Sequence, residues 1–141
     1  MATPDVLAQL KDVDRELLPE YASALADMAP VIERGIAQLR QSPDDNAPVA
    51  GLFRVFHNLK GDAALCRFEF GLQVAHGLEA LLTRQREGSL RFTPLLGEAI
   101  LLAVDRLELT VEAVIEGKPL THLRLHRLLN GLAALARANP G

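Results

Sequence analysis

The chain has 141 residues, which predicts one domain that buries roughly 68–70% of its unfolded surface and needs no covalent staples. Apolar residues make up 49% and aromatics only 4%, and the dominance of Leu and Ala favours packed helices over a sheet. A net charge of −3, with no basic stripe interleaved with aromatics, argues against nucleic acid as a partner.

The N-terminus, MATPDVLAQLKDVDRE, has no signal-peptide pattern. Thr3-Pro4 predicts a cap and a first turn, and Val6, Leu10, Val13 and Leu17 follow at helical spacing. Residues 1–18 are therefore expected to form an extra N-terminal helix, with Pro19 marking a break or a new start. Leu25, Met28, Ile32, Ile36 and Leu39 form the next stripe, and Pro30 inside it is expected to kink the helix. SPDDNAP, residues 42–48, is a loop with several possible caps.

The third stripe is Val49, Leu52, Phe53, Phe56, Leu59 and Ala63. The chain then turns near Arg67. Leu72, Val74, Ala75, Leu78, Leu81 and Leu82 form another amphipathic helix that ends at Gly88. Thr93-Pro94 opens the next, with Leu96, Ile100, Ala103, Leu107, Val111 and Val114 on one face and Gly117 and Pro119 closing it. Its run PLLGEAILLAVDRLEL is interrupted by Glu98, Asp105 and Glu108 and is not expected to span a membrane. A last helix, over 119–137, carries Leu125, Leu128, Leu129, Leu132 and Leu135. The expected architecture is all-α: five or six helices in an antiparallel bundle, with the bundle core over residues 19–116. The lone Cys66 excludes an internal disulfide and fits a reducing compartment, so a soluble cytoplasmic domain is expected.

One stretch stands apart. FHNLKGDAAL, residues 56–65, places His57, Lys60 and Gly61 within one helical turn, although glycine is about 1 kcal/mol worse than alanine inside a helix. At about 100° per residue, the apolar stripe of this helix centres roughly 105° from His57. His57 thus flanks the core. Its helical neighbours are Ala50, Phe53, Lys60, Gly61 and Ala64, three of which are Ala or Gly. Helical side chains lean toward the N-terminus, so residue 61 would normally cover residue 57; glycine leaves that space empty. A neutral imidazole is a nucleophile near neutral pH, and a phosphoryl group on it would gain from the ammonium of Lys60 one turn away. Read alone, the same residues also fit a half-exposed polar histidine, a solvated lysine and a glycine that permits close helix packing.

The following helix contains AHGLEALL, with His76 and Glu79 at i, i+3. Packed antiparallel, it brings Glu79 beside His57, where a carboxylate accepting one ring N–H would fix the tautomer and leave the other nitrogen's lone pair free. A surface pair along one helix is the plain alternative.

HNLKGDAALCRFEFGLQVAHGLEALL resembles the signature of histidine phosphotransfer (HPt) domains, and within them the N-terminal phosphotransfer domain of chemotaxis-type histidine kinases. That pattern is Arg-x-x-His-x-x-Lys-Gly followed by His-x-x-Glu, and Arg54, His57, Lys60, Gly61, His76 and Glu79 occupy its positions. The resemblance implies an HPt-like four-helix core. It makes His57 the phospho-accepting residue, with Lys60 steadying the phosphoryl group, Glu79 orienting the ring and His76 completing the polar network. Arg54, Ala50, Gly61 and Ala64 would form the access surface. The implied partners are a histidine kinase catalytic domain and a response-regulator receiver domain. ATP and Mg²⁺ would belong to those partners, leaving this chain no cofactor and no enzymatic activity of its own. Two positions depart from the family. The glycine common ten residues after the histidine is Arg67 here, and Asp62 replaces a small residue.

Two other readings compete. One is a helical metal site built from His57, His76 and Glu79 or from the His122/His126 pair, although a bundle di-iron site needs two Glu-x-x-His motifs and two further glutamates. The other is a docking scaffold that no longer transfers phosphate, against which the intact His57, Lys60 and Glu79 set argues.

Overall fold

The structure is a computed structural model that describes residues 10–120 and 125–137. It contains five α-helices among the described residues: α1 (Leu18–Gln41), α2 (Asn46–Leu65), α3 (Glu69–Arg86), α4 (Pro94–Glu116) and α5 (Leu125–Arg137). Helices α1 to α4 form an antiparallel ring in which α2 lies between α1 and α3, and α4 returns against α1. The broadest contact is between α2 and α3. Helix α5 lies outside this ring, against α3, where Arg84 donates a hydrogen bond to the Ala136 carbonyl.

The expected stripes face the core. Leu25, Ile32, Ile36 and Leu39 of α1 are buried, as are Val49, Leu52, Phe56, Leu59 and Ala63 of α2. Val74, Leu78, Leu81 and Leu82 of α3 join them, with Leu96, Ile100, Ala103, Leu107, Val111 and Val114 of α4. Capping fixes where the helices begin. The Asp45 carboxylate accepts from the Ala47 amide at 3.0 Å, and the Thr93 hydroxyl accepts from the Leu96 amide at 3.2 Å. Left-handed Gly88 and Gly117 follow the ends of α3 and α4.

Two expectations are corrected. Thr3, Pro4 and Val6 lie outside the described residues, but residues 10–17 do not continue a helix. Leu10–Asp12 form a single 3₁₀ turn. The Asp14 carboxylate then accepts from the amides of Glu16 and Leu17, at 3.0 and 3.3 Å. That side chain competes with helical backbone bonding, so Leu10 and Val13 are buried while Leu17 is exposed. Pro19 opens α1, and Pro30 lies inside it on the exposed side, where water can meet the carbonyl that it leaves unbonded. Finally, residues 118–120 are non-helical and the last helix starts at Leu125, later than residue 119.

Candidate functional site

The turn between α2 and α3 sets the register of the site. Helix α2 closes with the Phe68 amide donating to the Ala63 carbonyl at 2.9 Å and the Arg67 amide to Ala64 at 3.2 Å. This is a Schellman closure, whose αL position usually holds glycine. Arg67 occupies it with φ 54°, a conformation that costs a non-glycine residue about 1–2 kcal/mol. Buried Phe68 and Phe70 anchor the start of α3 immediately afterwards. Arg67 thus takes the left-handed conformation that glycine adopts more readily at this position.

With the turn fixed, α3 runs back along α2 and Glu79 meets His57. His57 Nδ1 lies 3.0 Å from Glu79 Oε2, and Lys60 Nζ lies 2.6 Å from Glu79 Oε1. Exposure is graded across the three: the side chains of His57, Lys60 and Glu79 are 61%, 29% and 9% accessible. Burial pushes the Glu79 carboxyl up, but hydrogen bonds from Lys60 and His57, together with their charges, outweigh it and hold the group below the usual carboxylate range. The carboxylate is thus an acceptor, and the hydrogen shared with His57 resides on Nδ1. With Nδ1 as the donor, the lone pair of a neutral His57 ring falls on Nε2.

Around the imidazole, Gly61 behaves as expected: a Cβ built on it would meet nothing within 4 Å. Arg54 and Ala64 are exposed and Ala50 is half-buried. His76 does not join the cluster. It is exposed, and no hydrogen bond or ion pair links it to another described residue.

Phe53, a helical neighbour of His57 at i−4, also belongs to the apolar stripe, and its link to Arg86 was not read from the sequence. The Phe53 ring stacks on His57 with centroids 6.2 Å apart and planes 11° from parallel, and the Arg86 guanidinium lies over Phe53, 4.8 Å from its centroid. The available signal was spacing: Phe53 precedes His57 by four residues and Arg86 follows Glu79 by seven, so each shares a helix face with its site residue.

Among the described residues no three His, Cys, Asp or Glu side chains converge to hold a metal ion. His122 lies outside the described residues. No helix among them is long and apolar enough to cross a membrane.

Among the described residues, a four-helix bundle presents a carboxylate-tethered imidazole on an exposed helix face. Residues 5–117 match the Hpt domain family, and the chain belongs to it. It is thus a histidine phosphotransfer module of two-component signalling. Among curated proteins it is similar to the sensor histidine kinase CheAY of Helicobacter pylori, 23% identical over 64% of this chain and 11% of that one. It is also similar to the chemotaxis protein CheA of Halobacterium salinarum, 26% identical over 59% and 12%. The matched region is therefore about a ninth to an eighth of those relatives' length. In fold it resembles the phosphorylated P1 domain of CheA3, solved in complex with CheY6 from R. sphaeroides. The TM-score is 0.71 at 24% identity, covering 87% of this chain and 98% of that one.

Proposed function

We propose that His57 is the phospho-accepting residue and that Nε2 is the nitrogen that carries the phosphoryl group. The observation that supports this most is the 3.0 Å contact of Nδ1 with Glu79 on a ring that is 61% exposed. One nitrogen is occupied and the other carries the lone pair. That lone pair attacks the γ-phosphorus of ATP held by a histidine kinase catalytic domain. A P–N bond forms, the bond to the bridging oxygen breaks, and ADP leaves with that electron pair. Glu79 offsets the positive charge that develops on the ring. Lys60, anchored one turn away, turns part of its charge toward the new phosphoryl oxygens. In the second step an aspartate carboxylate of a response-regulator receiver attacks phosphorus, the P–N bond breaks, and neutral imidazole is restored.

ATP and Mg²⁺ belong to the partners in both steps. A receiver partner is supported by the similarity to a P1 domain solved with CheY6, and a kinase partner by the CheA-type relatives. A cytoplasmic location accompanies this reading, since its donor is ATP. The polar network is Lys60, Glu79 and His57; His76 is no longer part of it.

The test is incubation with the catalytic domain of a CheA-type kinase and radiolabelled ATP, followed by acid. The wild-type chain is expected to take up acid-labile label, and His57→Gln none, with little change in melting temperature because the residue flanks the core. Acid-stable label, or label retained in the variant, overturns the assignment.

A further inference from the structure

A single hydrogen bond holds Nδ1 in place but does not hold the ring. The terminal torsion of a histidine side chain is broad, so an imidazole tethered only at Nδ1 still pivots about that contact. His57 is too exposed for core packing to stop it. On its C-terminal side lies the empty space over Gly61. The stacked Phe53 ring on its other side is therefore what opposes the pivot. Phe53 itself sits half-buried at the edge of α2, and Arg86 lies over it from the end of α3. Glu79 and Arg86, seven residues apart on α3, thus meet His57 and Phe53, four residues apart on antiparallel α2. The helices are joined by two rungs, a carboxylate–imidazole rung and a cation–phenyl rung.

We propose that Phe53 and Arg86 are a positioning pair for the phosphotransfer reaction, fixing the plane of the His57 ring so that Nε2 points at the incoming phosphorus. This rests on the reading of His57 given above. The role is indirect: Arg86 holds Phe53, and Phe53 holds the imidazole. Transfer to a nitrogen lone pair needs donor and lone pair in line, and small misalignments of a reacting atom cost rate steeply.

The experiment pairs the His57 ring-proton chemical shifts with single-turnover phosphorylation in Arg86→Met, Arg86→Lys, Phe53→Leu and the Arg86→Met/Phe53→Leu double variant. Stacking on Phe53 displaces the ring-proton shifts by ring current, and that readout needs no kinase. Failure of His57 to accept phosphate in the wild type is therefore a separate result from failure of the positioning pair. Arg86→Met is expected to move the His57 shifts part of the way to their Phe53→Leu values and to slow transfer about 2- to 5-fold, the scale of an exposed cation–π contact. Phe53→Leu is expected to slow it about 10-fold or more. Arg86→Lys restores both readouts in part. In the double variant the Arg86 effect disappears, because its target is gone.

Two results overturn the proposal. One is Arg86→Met slowing transfer with unmoved His57 shifts, which makes Arg86 a contact for the partner or its phosphates. The other is a full Arg86 effect persisting in the Phe53→Leu background. Arg86 is exposed, so the single Arg86 variants stay informative even if Phe53→Leu lowers stability.

Discussion

The α2–α3 hairpin contains two regions that treat ionisable groups in opposite ways. At its turn, burial pushes up both the Cys66 thiol and the hydroxyl of Tyr21, which packs edge-on against Phe68 from α1, with neighbouring negative charges adding to the effect. Midway along, Glu79 is also buried, yet Lys60 and His57 hold its carboxyl down and keep it charged. Desolvation acts in both regions. What differs is the partner: two cationic donors face Glu79, whereas only negative neighbours add to burial at Tyr21 and Cys66. The glycines follow the same division. Gly61 leaves open space, whereas a Cβ on Gly71 would lie 2.6 Å from Phe68 Cδ2 and 3.1 Å from Tyr21 Oη. One end of the hairpin is closed to build the turn that sets the register; the middle is left open so that the register can be used.

The largest expected effect strikes the open region. Glu79→Ala should slow phosphoryl transfer from ATP by roughly 10²–10⁴-fold, because the ring loses both its tautomer and its charge partner. Kinase docking should persist, since Glu79 is buried and makes no part of the exposed face. Single-turnover kinetics and a binding titration separate the two quantities. An unchanged rate would mean that the Glu79 contact is structural only.

The two glycines sharpen the comparison through one substitution with opposite signs. Gly71→Ala should destabilise the fold by about 1–3 kcal/mol, since Phe68 is fully buried and has no room to retreat. Gly61→Ala should stabilise it by about 0.8–1 kcal/mol through helix propensity. Gly61→Leu should also fold at least as well as the wild type, while transfer falls steeply because leucine lies over the imidazole. Denaturant melts and transfer rates on the three variants check this. A stable Gly61→Leu protein with a normal rate contradicts the account of the open space.

The smallest effect is a pair of pH limbs. Glu79 has a depressed folded pKa, so its contribution to stability is present above the ordinary glutamate value of about 4.5 and is lost as pH falls through the lower folded value. Tyr21 has a raised one, so its contribution is present below the ordinary tyrosine value of about 10 and is lost as pH rises past it. Melting temperature against pH should therefore fall at both ends. Glu79→Gln should flatten only the acid limb, and Tyr21→Phe should reduce only the alkaline one. A variant that alters the opposite limb breaks the division between the regions.

Much of this was readable in the sequence. The apolar stripes placed the four ring helices, Thr93 and Gly117 marked the ends of α4, and the spacing from His57 to Glu79 anticipated their contact. Residues 10–17 were misread because Leu10 and Val13 keep helical spacing and are buried, while the Asp14 side chain takes the amides that a helix would use. Periodicity reports burial and is silent on that competition. The turn at Arg67 was legible as a turn, but its left-handed geometry was not, because arginine gives no local signal for it. Gly61 and Gly71 look alike as letters; only the neighbours brought by folding distinguish them. His76 was included through the family pattern, but it is exposed and makes no bond to Glu79 or His57.

The central claim is that Glu79 holds Nδ1 and leaves Nε2 of His57 as the nucleophile. Nitrogen-15 and phosphorus-31 NMR of the phosphorylated chain, labelled at histidine, tests it most directly. The account predicts one phosphorus–nitrogen coupling, assigned to Nε2 of His57, with Nδ1 still protonated. Coupling at Nδ1, or at a different histidine, would contradict it.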